Sequence, residues 1–250
     1  MGAPSLEVDA MEERLTIATL DSPSCPVGER LGSFIGSGHS SGLDIESIST
    51  DSLTNGLGLL ESGDADILAL PGGLVHGNMM EILQSGCKVV GARTPVRPYP
   101  VLVSDNKIQY LPGFAIILCD NKLNRRQLRR SRGGLRVLDS DAFASILGIE
   151  EGPSDPVMKA KWMEELRGAG EIDGFVIPRG IYEGANLVSR RHSLLPDGLN
   201  EGDPDFLPSA YSDLIVLLAR NRFPKSISKE ISEREGCLLY TSDAADEHTG

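Results

Sequence analysis

Short β-rich runs alternate with helical segments along most of this chain, and the alternation restricts the possible folds more than any other feature. LTIATL (15–20), LDIESIST (43–50) and ADILALP (65–71) are typical of strands, and the segments between them favour helices. Further strands are predicted at CKVVGAR (87–93), VLVSD (101–105), FAIILC (114–119), LRVLD (135–139), IDGFVIP (172–178) and DLIVLLAR (213–220). This order predicts an α/β protein with mostly parallel sheets whose faces are covered by helices.

The chain of 250 residues is long enough for two domains of about 100 residues each. We predict domain 1 at 11–98 plus 205–222 and domain 2 at 99–200, with chain crossings in the proline-rich 95–105 segment and the polar 197–208 segment. Residues 223–236 would begin a truncated region. Residues 237–250 are set aside, because CLLYTSDAADE resembles a translated sequencing adapter.

Composition excludes several classes of function. With 40% hydrophobic residues and a net charge of −12, the chain has the make-up of a soluble globular protein and not of a general nucleic-acid binder. No stretch approaches the ~20 apolar residues of a membrane span. The four cysteines form no CxxC pair and have no histidine at zinc-site spacing, so we predict no metal and a reducing, cytoplasmic compartment. A monomer is expected.

Positive charge is concentrated in NRRQLRRSRGG (124–134), where five of eleven residues are arginine. Asp120 and Asn121 are good N-cap residues, so a helix is predicted to begin near Lys122, at the carboxyl edge of a sheet where anions bind well. Like charges four residues apart destabilise a helix, and this segment contains no acid. We therefore predict an anion site that includes Lys122, Arg125 and Arg126. The alternative interpretation is a solvated helix face.

IILCDNKLNRRQL (116–128) resembles the strand, polar turn and paired-arginine helix of porphobilinogen deaminases, also called hydroxymethylbilane synthases. LTIATLDSP (15–23), SGDADILAL (62–70) and LPSAYSDLIVLLAR (207–220) resemble other segments of that family in the same order. The resemblance covers about residues 14–222.

The resemblance implies two periplasmic-binding-protein-like (type II) domains with mostly parallel central sheets, and a third α+β domain that is missing here. It implies hydroxymethylbilane synthesis in tetrapyrrole biosynthesis, a transferase reaction that polymerises porphobilinogen, a small polycarboxylate pyrrole, and releases ammonia. The family's dipyrromethane cofactor is held by a cysteine of the third domain, and that cysteine has no counterpart in this chain. Arg125 and Arg126 match the family's carboxylate-binding arginines, and Ser22 matches its first-turn serine.

The chain departs from the family pattern at several functional positions. Leu20 and Asp21 stand where the family has basic residues, and Gly73 and Leu74 stand where it has Lys-Asp. Leucine cannot stabilise a cationic intermediate or move protons, so no catalytic residue is assigned and little turnover is expected.

Two other functions fit parts of the sequence. The first is a non-catalytic bilobed binding protein for a small carboxylate ligand, since one fold can serve both roles. The second is an amidotransferase-like hydrolase, suggested by Gly72 and Gly73 after a strand. That reaction needs a cysteine at the end of the next strand, where this chain has Gly91, Ala92 and Arg93.

Overall fold

The computed structural model describes residues 13–36, 43–149, 152–196 and 206–247. The chain divides into two compact units: unit 1 comprises Met1–Asp21, Val27–Arg93 and Ile215–Cys237, and unit 2 comprises Ser22–Pro26, Thr94–Leu214 and Leu238–Gly250. The divisions predicted from the sequence, after residue 98 and at residue 205, lie five residues after and ten residues before those of the structure. Most of the predicted second crossing lies outside the described residues.

Strands and helices alternate along most of the chain, and all nine predicted strands are present. The strands are β1 (Glu13–Leu20), β2 (Leu43–Thr50), β3 (Ile67–Pro71), β4 (Cys87–Arg93), β5 (Val101–Ser104), β6 (Ile116–Leu118), β7 (Arg136–Leu138), β8 (Gly174–Ile177), β9 (Arg191–Ser193) and β10 (Ile215–Arg220). The helices are α1 (Val27–Gly36), α2 (Leu53–Ser62), α3 (Gly72–Gly77), α4 (Met79–Gln84), α5 (Lys122–Ser131), α6 (Ser140–Ile146), α7 (Pro156–Gly168), α8 (Arg179–Gly184), α9 (Lys225–Ile231) and α10 (Arg234–Glu247).

Unit 1 contains a five-stranded sheet in the order β2-β1-β3-β10-β4. β1 is parallel to both β2 and β3, whereas β10 runs antiparallel between β3 and β4. Every residue of β3 is buried, which matches its unbroken apolar sequence ILALP. The helices α1, α2 and α3 begin after the carboxyl ends of β1, β2 and β3.

Unit 2 contains a second five-stranded sheet in the order β7-β6-β8-β5-β9. β6 is parallel to β7 and β8, and β5 runs antiparallel between β8 and β9. VLVSD was predicted as a connection between domains, but β5 lies inside this sheet with partners on both sides. The reason is physical: its backbone is fully buried, so its polar groups need hydrogen bonds from both neighbours.

Alternate residues of β6 serve two cores on opposite faces of this sheet. Leu118 packs into a cluster with Phe143, Met163 and Phe175, against which the partly buried Trp162 also packs. Ile117 packs into a second cluster, in which Leu128 comes from α5 and the other buried members include Leu102, Val176 and Phe206. Both faces of the sheet are therefore covered, and α5 is fixed to one of them through Leu128.

Candidate functional site

The carboxyl edge of the unit 2 sheet is where three helices begin. β7, β6 and β8 are adjacent and parallel, and they lead into α6, α5 and α8 respectively. Because parallel strands end at one edge, the first turns of these helices lie at that edge, the usual ligand position in α/β sheets. We refer to it as the carboxyl edge of unit 2.

Helix α5 begins as the sequence predicted and is held firmly in unit 2. Asn121 is the N-cap, and its Oδ1 accepts a hydrogen bond from the Asn124 backbone N–H at 2.9 Å. The Gln127 amide pairs with the Leu207 backbone, donating to its carbonyl at 3.1 Å and accepting from its N–H at 2.7 Å. The helix therefore presents its polar residues in a fixed orientation.

Arg125 directs its charge into unit 2. Its Nη1 donates to the Cys119 and Asp120 carbonyl oxygens, at 2.8 and 3.0 Å, and to Asp139 Oδ2 at 2.6 Å. The Arg125 side chain is only 17% exposed. The arginine segment contains no acid, and the negative charge beside Arg125 comes from Asp139, the residue after β7. These contacts account for Arg125 as a structural residue, whereas its predicted role in ligand binding is not tested.

Two more arginines of the segment are also bound internally. Arg129 donates to the Val137 carbonyl at 2.6 Å, and Arg132 donates to the Ile108 carbonyl at 2.6 Å. Hydrogen bonds from a charged donor are stronger than neutral ones, so they offset part of the repulsion among the arginines.

Acidic side chains already occupy helix N-termini at this edge. Asp139 caps α6, and Asp120 Oδ1 accepts from the Ser140 N–H at 2.9 Å. Lys159 lies 3.4 Å from Asp120 and 3.1 Å from Asp141. Burial lowers the pKa of Lys159, but the hydrogen bond and charge of Asp141 and the charge of Asp120 outweigh it and raise that pKa overall. Arg125 and Lys159 thus offset two of these three carboxylates within unit 2.

Lys122 and Arg126 differ from Arg125, because both are exposed and make no hydrogen bond or ion pair within the described part of the chain. They are four residues apart in α5, so they lie on one helix face with Cβ atoms about 6 Å apart. Arg130 continues this face one turn further on. Lys122 and Arg126 are thus the predicted site residues whose charge no described residue satisfies.

Ser22, the fourth predicted site residue, lies in a tight turn. Its N–H donates to the Cys25 carbonyl at 3.1 Å, its carbonyl accepts from the Cys25 N–H at 3.0 Å, and its hydroxyl lies 3.3 Å from Ser24 Oγ. The turn packs within unit 2 against Gly180 in the first turn of α8, where a Cβ would lie 2.5 Å from the Ser24 carbonyl oxygen. Gly180 was not singled out by sequence, since one glycine carries no signal of such an approach.

The residues weighed for chemistry in unit 1 have structural surroundings. The loop predicted around Leu74 is helix α3, in which Leu74 is 36% exposed. At the end of β4, Arg93 donates to the Ile231 carbonyl at 2.9 Å and to Glu233 at 2.5 Å, and it stacks on the Phe34 ring. Burial is the main cause of the lowered pKa of Arg93. Its contacts explain the arginine without a catalytic role.

The cysteines show no sign of nucleophilic activation. Cys25, Cys87 and Cys119 are buried. Burial raises the pKa of the Cys119 thiol to about 12 and also raises that of Cys87. A thiol that stays protonated at neutral pH is a poor nucleophile.

Neither a metal-binding group nor a membrane-spanning helix is found among the described residues. In that part of the chain, no three His, Cys, Asp or Glu side chains are grouped so as to hold a metal ion. No described helix has both the length and the apolar character needed to cross a membrane.

The strand orders confirm the predicted fold class, two type II periplasmic-binding-protein-like α/β domains.

No family model matches the chain, and no curated protein matches it. Similar solved structures include a nutrient binding protein from Burkholderia cenocepacia bound to methionine, with 15% identity over 94% of this chain and 97% of that one and a TM-score of 0.43. A periplasmic substrate-binding protein of an ABC transporter from Coxiella burnetii has 16% identity, covers 93% and 97%, and has a TM-score of 0.42. The periplasmic aliphatic sulphonate binding protein of Escherichia coli has 15% identity, covers 95% and 74%, and has a TM-score of 0.42.

These comparisons correct several predictions. Assignment to the porphobilinogen deaminase family is wrong, because neither a family model nor a curated protein supports it and the structures named above are binding proteins. The tetrapyrrole-synthesis function implied by that resemblance is wrong with it. The predicted cytoplasmic compartment is contradicted by two similar proteins described as periplasmic. The dipyrromethane cofactor is not tested and has no support besides the resemblance.

Proposed function

We propose that this chain is a non-catalytic binding protein for a small carboxylate-bearing molecule, which it holds at the carboxyl edge of unit 2. The single observation that carries the proposal is the exposed, unpaired state of Lys122 and Arg126 in the first turns of α5. The proposal retains the small-molecule ligand that was predicted from the sequence, but it does not retain the prediction that this ligand is a pyrrole.

Charge accounting at this edge supports an anionic ligand. Arg125 is paired with Asp139, and Lys159 bridges Asp120 and Asp141. These two cations offset two of the three acids, so one negative charge remains at this edge against the two positive charges of Lys122 and Arg126, which form no ion pair with any described acid. A ligand carboxylate would complete the local balance in a chain that is acidic as a whole.

The ligand head group is expected to be a carboxylate because of the geometry of the two donors. The Arg126 guanidinium can form two parallel hydrogen bonds to one carboxylate, and the Lys122 ammonium adds a point charge from the same helix face. The amide pairing of Gln127 with Leu207 holds α5 in place before any ligand arrives. Such preorganisation lowers the entropic cost of binding.

The test is a calorimetric titration of the purified protein with succinate and glutarate, each compared with its diamide. We expect saturable binding of the dicarboxylates, weaker at high salt, and none of the diamides. Lys122→Gln and Arg126→Gln should each weaken dicarboxylate binding by roughly tenfold. The matched control is Lys161→Gln, an exposed lysine of α7 with no described partner, which should bind as the unaltered protein does.

Equal binding of diamide and dicarboxylate would contradict the proposal, as would unaltered affinity in the Lys122→Gln, Arg126→Gln double variant. Thermal unfolding of each variant provides the folding control. Both residues are exposed, so their replacement should leave the melting temperature close to that of the unaltered protein.

A further inference from the structure

Unit 1 contains a cavity of about 750 Å³ that lies away from the ends of strands where helices begin. It is lined by Arg14 and Leu43 at the starts of β1 and β2, by Asp66 just before β3, and by Arg220 at the end of the antiparallel β10. All four lie at the amino edge of the parallel strands. The helices α1, α2 and α3 start at the opposite edge, so this cavity is separate from any site built on their N-termini.

Some charged side chains that line this cavity have partners among the described residues, and others have none. Arg14 forms an ion pair with Glu46, and Asp66 is bound to β1, since its Oδ2 accepts from the Thr16 N–H at 2.9 Å. Arg220 and Arg222 also line the cavity, and their guanidinium groups form no ion pair or hydrogen bond with any described residue. The cavity therefore has an excess of positive charge in a chain of net charge −12.

The rest of the lining is apolar. Leu15, Leu43, Phe223, Pro224 and Ile227 contribute hydrocarbon surface, and Phe223 directly follows Arg222 along the chain. Small-molecule sites typically have 300–1,000 Å³ and combine an apolar wall with a few polar groups that fix orientation. An inorganic anion would leave the apolar wall uncovered. A neutral hydrocarbon would offer no hydrogen-bond acceptor to the guanidinium groups.

We propose that this cavity binds a small organic anion with an aliphatic body, a medium-chain carboxylate being the simplest example. The carboxylate accepts hydrogen bonds from Arg220 and Arg222, and the chain lies against Leu43, Phe223 and Ile227. Recognition thus has two parts, a charge-assisted one and a hydrophobic one that grows with the length of the chain.

The proposal is tested by titrating the protein with acetate, butanoate, hexanoate and octanoate, and with octylammonium and octan-1-ol. Affinity should rise along the acid series, by at most about fourfold per added CH₂, and octanoate should bind at least tenfold more tightly than octan-1-ol or octylammonium. Arg220→Gln and Arg222→Gln should each weaken octanoate binding by about tenfold. Ile227→Asn should weaken octanoate more than butanoate.

The controls separate this site from the proposed function. Arg234→Gln removes an exposed arginine of α10 in the same unit and should leave octanoate affinity unchanged. The Lys122→Gln, Arg126→Gln double variant should also bind octanoate normally. The proposal is overturned if the Arg220→Gln, Arg222→Gln double variant keeps full octanoate affinity, or if affinity does not depend on chain length or on the sign of the charge.

Discussion

Replacing Gly180 with alanine is expected to lower the free energy of unfolding by about 1–3 kcal/mol, since the added methyl group has no space. A Cβ at this position would lie 2.5 Å from the Ser24 carbonyl oxygen and 2.8 Å from its carbon, both backbone atoms. The first turn of α8 and the Ser22–Cys25 turn would have to separate. Chemical denaturation followed by circular dichroism measures the change.

The same helix provides the control for this prediction. Gly184 is the last residue of α8, and nothing lies within 4 Å of a Cβ placed there. Gly184→Ala should therefore be neutral or slightly stabilising, because alanine restricts the unfolded chain more than glycine does. If the two variants were equally stable, the close packing of Gly180 on Ser24 would be disproved.

Asp139→Ala is expected to destabilise the protein by about 2 kcal/mol through two losses. The first is the N-cap of α6, where Asp139 Oδ1 accepts from the Asp141 N–H at 3.2 Å, and such caps contribute about 1 kcal/mol. The second is the ion pair to Arg125, whose guanidinium would stay mostly buried without its acid. The measurement is again the free energy of unfolding in denaturant.

Asp141→Ala is the matched control for the loss of an acid at the same helix terminus. Its carboxylate is 64% exposed and pairs with Lys159 at 3.1 Å, so its removal should cost well under 1 kcal/mol. In a double-mutant cycle, Arg125→Met should recover part of the stability lost in Asp139→Ala. Absence of coupling between positions 125 and 139 would show that their ion pair does not stabilise the protein.

Local sequence patterns predicted nine of the ten strands in the described part of the chain. LDIESIST and CKVVGAR have the alternating or apolar sequences of strands, and β2 and β4 match them residue for residue. Asn121 could be recognised as a cap because a polar side chain stands between a strand and a helical pattern. The short strand β9 was missed, since the polar sequence RHS has no strand signal and its pairing depends on β5.

The partners of the arginines could not be predicted in the same way. Asp139 is 14 residues from Arg125 in sequence and reaches it because β6 and β7 are neighbours in the sheet. Strand adjacency is a tertiary property that local patterns do not specify. The deaminase resemblance failed for a related reason: a strand, a polar turn and a basic helix recur in many α/β proteins, so they do not identify one family.

A comparison of Arg125→Gln with Arg126→Gln tests most directly the claim that α5 divides its arginines between structure and ligand binding. For each variant, the unfolding free energy and the affinity for succinate and glutarate are measured under the same conditions. We predict that Arg125→Gln loses stability while the folded fraction still binds the dicarboxylates, and that Arg126→Gln keeps its stability and loses about tenfold in affinity. The opposite result, with stability lost at Arg126 and affinity lost at Arg125 alone, would contradict this account.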